Sequence, residues 1–101
     1  MQEQNFVVEM KLEKIPADAY QKLGRAEMEY TQAQMEAGKL TQLLVTTDHK
    51  RYWMVFAVED KDELMSVLQG FPLHAYFDYT INPVLDMVAA STQGVTDPNL
   101  A

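Results

Sequence analysis

Glu27, Asp78 and His74 are the side chains whose setting equips them to move a proton. Glu27 falls in a helix-periodic stretch, about 60° from Tyr30 at about 100° per residue, on the border of an apolar face. A carboxylate partly removed from water there is pushed toward the pKa range useful for proton transfer; turned outward it is an ordinary solvated acid. Asp78 lies in "FPLHAYFDYT", residues 71 to 80, where an aspartate in a strand needs a partner, an edge to protect or a job as a base. His74 and His49 are the only histidines and the only side chains that ordinarily titrate near neutral pH. His74 sits at a junction leading into that strand, where pocket mouths are often built, whereas His49 falls in the polar turn "DHKR" and reads as exposed without function. Tyr30, Tyr52, Trp53 and Tyr76 are candidates for an aromatic pocket with hydroxyl donors, or alternatively plain core. No metal site is expected, because two histidines at this separation match no ligand spacing and cysteine is absent.

The elements that must position these groups follow from periodicity. Phe6, Val8, Met10 and Leu12 alternate with Val7, Glu9 and Lys11, which predicts a strand with one buried face. Leu23, Ala26, Tyr30, Ala33 and Ala37 recur at helical spacing over 19–37, with Asp18 as a possible cap and Gly38 as the stop. Met28 and Met35 lie together on that helix and read as an intersubunit contact. Strands over 40–47 and 52–59 are joined by the short polar turn, and the second, "YWMVFAV", is apolar on both faces like a central strand. "EDKDELMSVLQG" predicts a short helix with Leu64, Val67 and Leu68 inward and Gly70 at its end. A fourth strand follows, with Tyr76, Asp78 and Thr80 on one face and Phe77, Tyr79 and Ile81 on the other.

Strand, helix, strand, strand, helix, strand is the ferredoxin-like α+β arrangement, one antiparallel sheet with both helices on one face. Strands one, three and four are read as apolar on both faces, so pairing of two sheets in a homodimer is the economical way to cover the bare side. Residues 1–88 are expected to form this domain and 89–101, which lose periodicity, an arm or tail.

Composition removes several classes of function. The 101 residues carry 15 acidic against 8 basic side chains, a formal charge of −7, with no basic stripe, so neither nucleic acid nor an anionic membrane is an expected partner. Without cysteine there are no disulfides, thiolate nucleophiles or iron–sulfur sites. No stretch approaches the length of a membrane span and the start has no basic patch followed by an apolar run, so a cytoplasmic protein is expected. No phosphate-cradling glycine loop, nucleophilic serine motif or dinucleotide fingerprint is present.

Several stretches together resemble the muconolactone delta-isomerase family: "FVVEMKLEKIP" its first strand, a helix carrying Glu27 and Glu29, then "GKL", a hairpin ending in "VF" at Val55 and Phe56, and finally "FPLHAYFDYTI". The last is similar to the family's "LPLFPYMDIEV", with Pro72, Leu73, Tyr76 and Asp78 in register. The resemblance implies a dimeric α+β barrel working without cofactor, which shifts a proton on a small unsaturated lactone acid by means of a base, a carbonyl donor and a cation for the carboxylate. After "GKL" this chain has "TQLLVTT", where the family is rich in arginine and aromatic residues, and His74 and Ala75 stand where the family has phenylalanine and proline.

The reading that follows is an isomerase acting by acid–base transfer, with Glu27 as base and Asp78, His74 and Tyr76 as orienting or donor groups. A cofactor-free oxygenase or cyclase of an aromatic polyketide on the same barrel is the second reading, and a non-catalytic binding or assembly module the third.

Overall fold

A computed structural model describes residues 3–12 and 15–88. The arm expected at 89–101 lies outside the described residues. Strand β1 (Gln4–Leu12), helix α1 (Ala17–Glu36), strands β2 (Leu40–Val45) and β3 (Arg51–Val58), helix α2 (Lys61–Gln69), a 3-10 turn (His74–Tyr76) and strand β4 (Phe77–Val84) follow one another in the expected order. The sheet is antiparallel throughout and runs β2-β3-β1-β4, which makes β3 and β1 central and β4 an edge.

Alternation decides what each strand buries. Phe6, Val8 and Met10 of β1 and Met54, Phe56 and Val58 of β3 turn to the helix side and are almost wholly removed from water. Leu64, Val67 and Leu68 of α2 close over them, as their spacing requires, together with Leu40, Phe71 and Leu73. Asp60 caps α2, its Oδ1 accepting the Glu63 N–H at 2.8 Å, and the acidic first turn complements the helix dipole.

Three local expectations are corrected. Helix α1 starts at Ala17 with Pro16 at its N-cap, so Asp18 is inside the first turn and caps nothing. The Pro16 carbonyl already accepts the first helical bond, from the Tyr20 N–H at 3.1 Å. The inward face of α1 is also rotated: Leu23, Glu27, Tyr30 and Gln34 are half-buried, while Ala26, Ala33 and Ala37 face solvent. Alanine gains little from burial, so the larger side chains decide which face packs. Finally, Tyr76 belongs to the 3-10 turn and not to β4, and the second face of β4 is polar, with Asp78, Thr80 and Asn82 exposed.

Both predicted helix-stopping glycines are where expected, for different physical reasons. Gly38 has φ +76°, its N–H donating to Met35 and that of Lys39 to Gln34, a C-terminal motif that favours a residue without a side chain. Gly70 has an ordinary φ of −77°, but a Cβ there would lie 2.7 Å from Cζ of Tyr30, so its absence is what lets α1 approach α2.

Candidate active site

Glu27 projects from α1 toward the segment that links α2 to β4. Its Oε1 accepts the Leu73 backbone N–H at 3.0 Å, a tie across 46 residues of sequence. The second oxygen has no hydrogen-bond partner among the described residues. Burial raises the Glu27 pKa above the ordinary carboxylate value, and the Leu73 N–H, which favours the charged form, offsets part of that rise.

Beside it, Tyr30 donates its hydroxyl proton to the Val67 carbonyl at 2.6 Å, and its ring meets Phe71 edge-on at 4.7 Å between centroids. Burial and the neighbouring Glu27 charge both raise the Tyr30 pKa, which keeps it a neutral phenol. The wall continues from Phe71 to Phe77 at 5.6 Å, from Phe77 to His74 at 6.0 Å, and from His74 to Tyr79 at 5.9 Å. His74 Nε2 and the Tyr79 hydroxyl stand 3.5 Å apart. In the sheet, Tyr52 and Tyr79 both pair with Met10, so they flank it on the helix-facing side. Burial raises the Tyr52 pKa, with a smaller contribution from Tyr20 of α1.

Of the residues predicted from sequence, Glu27, Tyr30 and His74 are therefore brought to one region, and Tyr52 shares its side of the sheet. Tyr76 is half-buried in the connecting turn. Asp78 and Trp53 are not part of it. Asp78 pairs with Lys11 across β1 and turns to the opposite sheet face, where it lines a small cavity of about 220 Å³ beside the Glu9–Arg51 ion pair, 3.1 Å long. On an edge strand an exposed aspartate needs no internal partner, and it blunts the edge against further pairing. Trp53 follows the same alternation away from Tyr52. A larger cavity, about 600 Å³, also opens on that opposite face, between Val7, Gln42, Val55 and the chain after Val84.

Sequence reasoning missed Leu73, Phe71 and Tyr79. Tyr79 was legible as a member of the apolar face of β4, but only strand pairing sets it beside Met10. The Leu73 contribution is a backbone N–H, which no side-chain pattern reveals. Among the described residues no group of three or more acidic, histidine or cysteine side chains could hold a metal, and no helix is long and apolar enough to cross a membrane.

The raised Glu27 pKa has a signed consequence for stability. Folding favours its neutral form, so its contribution is full below the unfolded-state value and is lost as the pH rises through the folded value. Glu27→Gln keeps an acceptor for the Leu73 N–H and removes that loss. Its Tm is expected to exceed that of the wild type at pH 7 and to converge with it as the pH falls toward about 4. A Tm difference that does not change with pH would show the carboxylate to be fully hydrated.

A family model described as muconolactone delta-isomerase matches residues 5–87. Among solved structures, a crystal structure of muconolactone isomerase at 3.3 Å resolution is similar, with a TM-score of 0.72 and 22% identity over 81% of this chain and 88% of that one. No curated protein matches in sequence.

Proposed function

Because the chain belongs to the muconolactone delta-isomerase family, we propose that it is a cofactor-independent isomerase that moves a C=C bond in a small lactone acid, with Glu27 taking and returning the proton. The observation that carries this reading is the half-buried Glu27 carboxylate, held by Leu73 through one oxygen and without a partner for the other among the described residues. The carbonyl-conjugated lactone ring loses a proton from a ring carbon to that carboxylate and becomes a dienolate, its new charge drawn onto the carbonyl oxygen. The Glu27 carboxyl, half-exposed and so open to exchange with solvent, then delivers a proton to the other end of the conjugated system, which shifts the double bond with no net gain or loss of atoms. A base with a raised pKa suits both halves, since it must accept a proton and then release it. Tyr30 serves as a wall here, because its proton is committed to Val67. Comparing muconolactone turnover by the wild type and Glu27→Gln tests the assignment.

The aromatic wall from Tyr30 to Tyr79, and the lack of arginine in 41–47, favour a second reading: cofactor-free oxygenation or cyclisation of a less charged aromatic substrate. Oxygen consumption with a phenolic substrate would support it over the isomerase, and proton exchange without oxygen uptake would count against it. A purely structural module is disfavoured by the inward setting of Glu27, although the exposed Asp78 is what such a module would show.

The same reading includes self-association. Val7, Trp53 and Val55 are half-buried and Leu44 is 58% exposed on the sheet face away from the helices, with Val84, Leu85, Met87 and Val88 exposed nearby. A second copy seated there would cover them. A solution mass of at least two chains is expected, falling toward one chain in Val55→Lys; a wild-type monomer at high concentration would contradict it.

A further inference from the structure

We infer that His74 and Tyr79 together form a subsite for the carboxylate of the ligand, a task for which the described residues place no lysine or arginine along the aromatic wall. The inference rests on the isomerase reading, which calls for an anionic lactone acid. Its own support is geometric. His74 opens the 3-10 turn immediately after Leu73, whose N–H holds Glu27, so the base and the imidazole are set by neighbouring residues of one segment. Tyr79 reaches the same place from β4, on the helix-facing side beside Met10.

Their polar atoms are poorly used within the chain. Among the described residues the Tyr79 hydroxyl and His74 Nε2 are each other's only hydrogen-bonding partners, and at 3.5 Å that contact is long and weak. Both are half-buried, His74 with its ring against Phe77 on one side and Tyr79 on the other. A carboxylate has acceptor capacity for both at once: it takes the phenol O–H on one oxygen and an imidazole N–H on the other, and replaces one weak bond by two charge-assisted ones. The region therefore pairs a proton-moving carboxylate with neutral or singly charged donors, where a guanidinium would be the stronger but here absent choice.

The test compares equilibrium binding of muconolactone with that of its uncharged methyl ester, followed by protein NMR shifts, in the wild type, His74→Phe, Tyr79→Phe and the double variant. His74→Leu stands in if His74→Phe does not fold, and His74→Gln, which retains an N–H donor, is the conservative control. Each single loss is expected to weaken the acid by about tenfold. The ester should be left unchanged, the double variant should weaken the acid less than the two losses multiplied together, and His74→Gln should recover part of the affinity. Equal weakening of acid and ester, or no weakening of either, overturns the subsite. That result leaves the role of Glu27 standing, because Glu27 is judged by turnover, and unchanged turnover in Glu27→Gln would conversely leave the acid-versus-ester discrimination intact.

Discussion

Replacing Glu27 by Gln should reduce muconolactone isomerisation by about a hundredfold to ten-thousandfold, the span that a positioned general base contributes. The substitution is nearly isosteric and its amide oxygen can still accept the Leu73 N–H, so the tie between α1 and the 71–76 segment survives. What disappears is the capacity to hold a proton. The expected signature is a loss in kcat carried through to kcat/KM, because the interaction removed is made in the transition state and not with the resting substrate. A loss confined to KM would mark Glu27 as a binding group, and no loss at all would remove it from the chemistry.

The largest expected effect on stability comes from Phe71. It is 3% exposed and touches both Tyr30 and Phe77, so it joins α1 to β4 across the site. Truncation to Ala leaves a cavity lined by aromatic edges that cannot close over it, at a cost of about 3–5 kcal/mol. Urea unfolding followed by circular dichroism measures this as a fall in the transition midpoint. Phe71→Leu retains most of the volume and should cost less. A loss below about 1 kcal/mol in Phe71→Ala would mean that the wall relaxes freely and gives Glu27 little shelter from water.

The legibility of this protein in its sequence was uneven, for reasons that can be named residue by residue. The order of elements, the inward face of α2 and the stop at Gly38 follow from local rules: alternation, helical spacing, and a positive φ that glycine tolerates. Helix α1 was harder. Counting alanines as apolar turned its predicted face toward Ala26 and Ala33, although only Leu23, Glu27, Tyr30 and Gln34 are long enough to reach the layer below. Glu27 survived that error because it lay on the border of the face.

Asp78 shows a different limit. Alternation within one strand correctly separated Asp78 from Tyr79, but it could not say which of the two faces the helices meet. The pairing of Met10 with Tyr79 and of Lys11 with Asp78 settles this, and it moves the aspartate away from the base it had been expected to assist. Gly70 was read as a helix stop, and it is one. Its tight approach to Tyr30 is a long-range fact, invisible until α1 and α2 are packed. The Leu73 N–H belongs to the same class, since a backbone donor has no signature in residue type.

The most direct test of the central claim is incubation of muconolactone with the wild type and Glu27→Gln in D2O, followed by NMR of the lactone. If Glu27 removes one proton, exchanges it with solvent and delivers another, wild-type protein introduces deuterium at the carbon that gains a hydrogen as the double bond moves, and Glu27→Gln introduces none above the protein-free rate. Equal deuterium uptake by the two proteins would contradict the account.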